Sequence, residues 1–372
     1  GGYERPMWFA LDGEKAEYEY SYNYQNWYPS VEHETINTIK NVGLFDLTPF
    51  SKFELTSEKA HDELQRICTS NIKNEIGKCT YTHMLNKDGG IETDLTVICL
   101  SKNHFRIISS AATRERDKFH INKHLSEDVK LKDVTDDYCV FGLFGPKSRL
   151  LLQKLSLSDF SNENFKFATA KYIEINGKKI WAQRLSYVGE LGYELYLKSS
   201  DAKEIYEKII NEGKNFNLSN CGMHALDTMR MESGFLHWGH DISPEENQYQ
   251  ANLEFTISFK KEIDFIGKEA LIKIKDQKQD RRLIMLTLKK NTPGEPLLLH
   301  DEPIYLEDKI IGRTTSGNYS FNYKKNLSFG YINSEYSDKE IFSKNLYIEV
   351  EKQKYQATLL TKPLKQSNYK NI

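Results

Sequence analysis

The strongest constraint on this chain is a change of pattern at the charged stretch Gln277-Lys278-Gln279-Asp280-Arg281-Arg282. Beyond it, strand-like runs at 283–289, 303–306, 310–315, 327–332 and 345–361 are parted by turn signals about every ten residues, the rhythm of an all-β sandwich or barrel. Before it, helix and strand patterns mix. Ser57 precedes Ala60, Leu64, Ile67 and Cys68, which recur at the spacing of one helix face. Residues 91–100 alternate as a strand, and His104–Ser109 form another. The apolar run 138–144 closes at Gly145-Pro146, ahead of a helix carrying Leu150, Leu151 and Leu155. Asp201 with Glu204 reads as a capping box and Gly213 as a stop, predicting a helix over 202–212. A second helix is predicted from Met223 to Ser233, ending at Gly234. The body up to about residue 275 is therefore α+β, followed by an all-β unit.

Composition narrows the function. Fifty-one basic against 53 acidic residues argue against a general nucleic-acid or anionic-membrane binder. No apolar run approaches the ~18–20 residues needed to cross a bilayer, and no signal-peptide pattern opens the chain. The cysteines Cys68, Cys79, Cys99, Cys139 and Cys221 are odd in number and lack C-x-x-C spacing, which argues for a reducing compartment and against a disulfide framework. His224, His237 and His240 show no metal-binding spacing, so no metal is expected. Dinucleotide, phosphate-loop and nucleophile-elbow motifs are missing. The first 30 residues are crowded with Tyr and Trp and are expected to pack over another surface. The opening Gly1-Gly2-Tyr3-Glu4-Arg5-Pro6 lacks an initiator Met, so the chain reads as cut from something longer.

Three places carry candidate chemistry. In Ser186-Tyr187-Val188-Gly189-Glu190-Leu191-Gly192-Tyr193-Glu194-Leu195-Tyr196 a turn runs into a strand. Alternation puts Glu194 and Tyr196 on one face and turns Tyr193, Leu195 and Leu197 toward a core. A carboxylate beside phenols suits a flat, nitrogen-rich ring, whose N–H groups it accepts while aromatic walls hold the ring faces. A plain turn between strands would also use Gly189 and Gly192. Asp94 stands mid-strand in Gly89-Gly90-Ile91-Glu92-Thr93-Asp94-Leu95-Thr96-Val97, sharing a face with Glu92 and Thr96. Strand propensity disfavours Asp there, so it reads either as an acid–base group or as a solvated surface charge. Arg230, in Met229-Arg230-Met231-Glu232-Ser233-Gly234, reads as a carboxylate-binding arginine or as an ion pair with Asp227 or Glu232.

Taken in order, Gly-Gly-Ile-x-x-Asp-Leu-Thr-Val at 89–97, Ser-Tyr-x-Gly-Glu-x-Gly-Tyr-Glu at 186–194, Arg-x-Glu-x-Gly at 230–234 and Gly239-His240-Asp241-Ile242 resemble the tetrahydrofolate-dependent aminomethyltransferase family, typified by the glycine cleavage T-protein. The likeness is nearest to the folate-binding half of dimethylglycine and sarcosine dehydrogenases. It extends to Tyr3-Glu4-Arg5-Pro6-x-Trp8-Phe9, the stretch from Phe45 to Phe53, Tyr81-Thr82-His83-Met84-Leu85, Asp264-Phe265-Ile266-Gly267-Lys268 and Thr314-Thr315-Ser316-Gly317.

The resemblance implies an α+β folate-binding core with ferredoxin-like units over 41–276 and a β-barrel over 277–372. Residues 1–40 become an aromatic linker adjoining a flavin domain upstream, which alone would carry FAD. Asp94 is implied as the catalytic aspartate. Tyr81, Thr96, Tyr187, Glu194, Leu195, Tyr196 and Arg230 are implied as folate-binding, with Glu194 gripping the pterin. The implied reaction moves the carbon of an N-methyl amine, oxidised to its iminium, onto tetrahydrofolate to give 5,10-methylenetetrahydrofolate. The alternatives are a stand-alone aminomethyl- or methyltransferase and a non-catalytic folate-binding regulatory protein. With no targeting segment in this chain, the resemblance implies a bacterial cytoplasm or a mitochondrial matrix. One departure stands out: relatives carry Glu-Ala-Gly-Leu where this chain has Gln250-Ala251-Asn252-Leu253.

Overall fold

The computed structural model describes residues 2–366 and 369–372. Before the charged stretch the chain forms two sheets. A six-stranded sheet has the order Leu218–Cys221, Val42–Asp46, Tyr138–Phe144, Gly192–Lys198, Lys178–Arg184, Thr169–Ile175. A five-stranded sheet has the order Cys79–Leu85, Ile91–Ser101, His104–Ser109, Ser51–Thr56, Leu131–Asp133. From Arg281 onward six strands close into a barrel through Arg281–Leu288, Lys325–Asn333, Lys309–Ser320, Pro303–Leu306, Leu346–Val350 and Gln353–Leu360. The fold is thus α+β with a C-terminal all-β barrel, as the pattern change implies. No helix among the described residues is long and apolar enough to cross a membrane.

Each sheet buries its two faces differently. The outer face of the six-stranded sheet, with Leu143, Tyr193, Leu195 and Leu197, packs against Leu151, Leu152, Ile205 and Ile209 of the helices Ser148–Leu155 and Ala202–Gly213. On the five-stranded sheet, Leu95, Val97 and Cys99 pack against Leu64, Ile67 and Ile121 of the helices Ala60–Ile67 and Arg114–His124. The inner faces meet each other. Ile98, two strand positions on from Thr96, shares one apolar cluster with Tyr196, Trp181, Val140 and Phe45. The space between the sheets is therefore lined by the two residue sets that alternation directs away from the helices. A separate cluster of Met231 with Leu283, Phe329 and Tyr331 seats the helix Met223–Glu232 on the barrel.

Several local expectations change. The helix Tyr28–Lys40 is absent from the sequence reading, because its buried side chains include Ser30, Glu34, Thr35 and Thr38 and so give no apolar stripe. Glu34 accepts the backbone N–H groups of Phe9 (2.6 Å) and Gly222 (2.8 Å), tying the aromatic N-terminal segment to the start of the helix Met223–Glu232. Burial pushes its carboxyl up to about 7. The capping box at Asp201 and Glu204 does not form. Asp201 makes no cap and pairs with Lys178 at 3.2 Å, and Glu204 accepts from Asn176 at 2.5 Å. Gly213 is itself helical, and the left-handed stop is Asn217 at φ 55°. The run 345–361 is two strands folded at Glu351 and Lys352, whose positive φ values of 50° and 64° make a tight hairpin without glycine.

Candidate functional site

The strand Ile91–Ser101 leaves a turn in which Asn86 Oδ1 accepts from the backbone N–H groups of Asp88 and Gly90, each at 2.9 Å. Gly89 has φ 90°, and a Cβ on Gly90 would lie 2.0 Å from the Pro244 carbonyl oxygen, so both positions require glycine. Alternation then presents Asp94 and Thr96 to the space between the sheets. Across the ladder His83 stands opposite Asp94, and Tyr81 opposite Thr96. The Tyr81 hydroxyl reaches diagonally to Asp94 Oδ2 at 3.3 Å and lies 3.2 Å from His83 Nε2.

The charge states follow from burial. Desolvation pushes the Asp94 carboxyl up to about 6, reinforced by the negative charge of Asp117 and opposed by the Tyr81 hydroxyl. Burial pushes His83 down to about 3, so its ring is neutral at physiological pH. Thr256 donates its hydroxyl to the Leu253 carbonyl at 2.7 Å and lies 3.0 Å from His83 Nδ1. With Thr256 accepting from it, His83 Nδ1 carries the proton, and Nε2 and Asp94 Oδ2 are two acceptors around the single Tyr81 hydroxyl proton. The result is a short line of exchangeable groups, Asp94, Tyr81 and His83. Sequence reading missed His83, although it follows Tyr81 by two in the strand Cys79–Leu85 and so shares its face.

The facing wall comes from the strand Gly192–Lys198. Its entry turns at Gly189, where φ is 68° and a Cβ would lie 2.1 Å from Ser233 Oγ. Glu194 and Tyr196 project together, and the Tyr196 hydroxyl donates to Glu194 Oε2 at 2.9 Å. The other oxygen of Glu194 has no partner among the described residues. Burial pushes this carboxyl up to about 7, against the lowering effect of Tyr196. Tyr187 donates to the Leu236 carbonyl at 2.7 Å and stacks on Phe235 with ring centroids 6.0 Å apart. Its phenol is raised by burial, lowered by the charge of Arg230 and raised further by Asp94, Asp227 and Asp241.

Two predicted residues land elsewhere. The Leu195 side chain is fully buried in the outer core with Leu143 and Leu197, because neighbouring strand residues point to opposite faces; it does not line the inner space. Arg230 is 2% exposed, and its guanidinium is committed to protein acceptors. It donates to Asp227 (2.8 Å), the Phe235 carbonyl (3.1 Å), Asp241 (2.6 Å) and Ser316 (2.8 Å). Asp241 also accepts from Thr315 (2.6 Å), Ser316 (2.8 Å) and the backbone N–H of His237 (2.9 Å). Arg230 thus locks its helix to the barrel and fixes the floor beside Tyr187. The departures at 250 and 252 are absorbed locally. Gln250 donates to Asp280 at 2.6 Å, and Asn252 adopts φ 58°, a left-handed conformation that Asn tolerates.

Comparison with known proteins agrees with this architecture. Residues 1–261 match the family model of the GCVT N-terminal domain, and residues 281–365 match that of the glycine cleavage T-protein C-terminal barrel domain. The chain belongs to the glycine cleavage T-protein, or aminomethyltransferase, family. Mitochondrial dimethylglycine dehydrogenase of Rattus norvegicus is 34% identical over 98% of this chain, which spans only 42% of that enzyme. An aminomethyltransferase of Listeria welshimeri is 31% identical over 98% of this chain and 92% of its own length. The crystal structure of the glycine cleavage system aminomethyltransferase T from Bartonella henselae superposes with a TM-score of 0.81 over 94% of both chains at 19% identity, a likeness of fold.

Proposed function

We propose that this chain is the tetrahydrofolate-dependent one-carbon transfer module of an N-methyl amine dehydrogenase of the dimethylglycine or sarcosine type, forming 5,10-methylenetetrahydrofolate. The observation that carries the reading is a pair of desolvated carboxylates, Asp94 and Glu194, on the inner faces of two sheets that share one apolar cluster, each bonded to a phenol. The free oxygen of Glu194 suits the amidine edge of a pterin, and Tyr187 and Tyr81 supply aromatic walls. Tetrahydrofolate, when bound, supplies the nitrogens that take up the carbon.

The protein's own groups do the rest. Glu194 orients the heterocycle by accepting its N–H groups. Asp94, with a carboxyl held near 6, is ionised at neutral pH yet basic enough to take a proton from an amine as it is released by bond formation. Tyr81 steadies that carboxylate and, with neutral His83 behind it, offers the proton a second position. The buried walls keep water from the iminium carbon, which would otherwise hydrolyse to formaldehyde. The iminium itself would come from a flavin domain outside this chain.

The full-length match to aminomethyltransferase favours a second reading, in which the chain works without such a domain on an aminomethyl donor. Both readings use Asp94 alike. Asp94→Asn is expected to keep tetrahydrofolate binding and to lose transfer in an assay complemented with the amine-oxidising step, read as 5,10-methylenetetrahydrofolate. Unchanged turnover would reject the assigned role.

A further inference from the structure

The row of residues across the six-stranded sheet at the level of Glu194 is unusual. Strand register aligns Phe45, Gly142, Glu194, Gln183 and Ala170 side by side, so all their side chains rise from the inner face. Gly142 and Ala170 contribute almost nothing above the backbone. The polar centre of the row is therefore Glu194 with Gln183 directly beside it. Gln183 is fully buried, yet neither its Nε2 nor its Oε1 has a hydrogen-bond partner among the described residues. Two residues along on the same face, Trp181 is also buried with its indole N–H unpartnered.

An unpaired carboxamide in an interior is costly, because burial removes its water without replacing the bonds. Such a group persists where something else completes it. The position beside Glu194 specifies what that partner must look like. A carboxylate only accepts, whereas a carboxamide both donates and accepts. Together they match a flat heterocycle whose edge presents N–H donors next to a ring nitrogen or carbonyl acceptor.

We propose that Gln183 is a specificity-determining residue of this site, reading the acceptor on the heterocycle edge next to the N–H groups taken by Glu194. The assignment rests on the folate reading above and deepens it. It makes Glu194 and Gln183 a paired reader, one for donors and one for the adjoining acceptor. It also makes the orphaned amide a cost borne by the free protein and relieved on binding.

The test is titration calorimetry with tetrahydrofolate on the wild type, Gln183→Leu and Gln183→Met, with thermal unfolding of each free protein. p-Aminobenzoylglutamate, which lacks the heterocycle, serves as the control ligand. Both variants should unfold at or above the wild-type temperature, since an unpaired buried amide is removed. Tetrahydrofolate should bind roughly tenfold more weakly to each, the worth of one to two hydrogen bonds, with the control ligand unaffected. Wild-type binding with unchanged affinity in the variants would overturn the role of Gln183 and leave the folate reading standing. Loss of stability in both variants, or failure of both to fold, would show a structural amide and overturn it equally. Absence of tetrahydrofolate binding to the wild type would remove the folate reading, and this inference with it.

Discussion

Replacing Glu194 by glutamine should make the free protein more stable while weakening its ligand. The carboxyl of Glu194 is pushed by burial from an ordinary 4.5 to about 7, with only the Tyr196 hydroxyl opposing the shift. Holding it there disfavours the folded carboxylate by about 3 kcal/mol, reduced to about 2 kcal/mol once the screening of a partly exposed side chain is allowed for. The sign follows from linkage. Below pH 4.5 the group is protonated folded and unfolded, and the penalty is absent. Between pH 4.5 and 7 the unfolded chain loses its proton first, and stability falls. Above pH 7 the full penalty applies. Glutamine keeps an acceptor for the Tyr196 hydroxyl and never ionises. Urea denaturation at pH 8 should therefore show Glu194→Gln more stable by about 2 kcal/mol, with the gap closing near pH 4.5, while tetrahydrofolate affinity drops. A variant less stable than wild type at pH 8, or a gap that does not change with pH, would refute the reasoning.

Other outcomes follow from neighbouring groups. Arg230→Met leaves Asp241, which has no exposure, as a buried unpaired charge, and should cost about 3–5 kcal/mol in urea unfolding. A loss below about 1 kcal/mol would show that the network is not structural. Transfer should rise with pH through 6 as Asp94 ionises. Tyr81→Phe removes a hydroxyl that holds the Asp94 carboxyl down, so the acid limb of the pH–rate profile should move to higher pH; a stationary limb would dissociate Tyr81 from Asp94.

The parts of the fold that could be read from the sequence are those where burial follows polarity. The strand Ile91–Ser101 alternates from Ile91 to Val97 because one face meets a helix layer while the other carries Glu92, Asp94 and Thr96, so its pattern gives both its class and the side of Asp94. The pairing of Glu194 with Tyr196 is likewise a consequence of strand period. Where polarity and burial part company, the reading fails. The helix Tyr28–Lys40 buries Glu34 and Thr38 because Glu34 accepts the backbone N–H groups of Phe9 and Gly222 and Thr38 reaches Cys221, partners that the local pattern does not contain. Asp201 and Glu204 have the spacing of a capping box but are drawn off by Lys178, which opens a strand, and by Asn176 in the hairpin turn before it. The same distance hides Gln183, whose meaning depends on its register against Glu194. It also explains Arg230: its partners Asp241 and Ser316 come from a loop and the barrel, neither of which its own motif contains.

The central claim, that the space between the two sheets is a folate site, is tested most directly by titrating tetrahydrofolate into this chain by calorimetry, with folinic acid as competitor. A saturable heat that folinic acid displaces, and that weakens in Glu194→Gln, is the predicted result. No heat and no competition would contradict it.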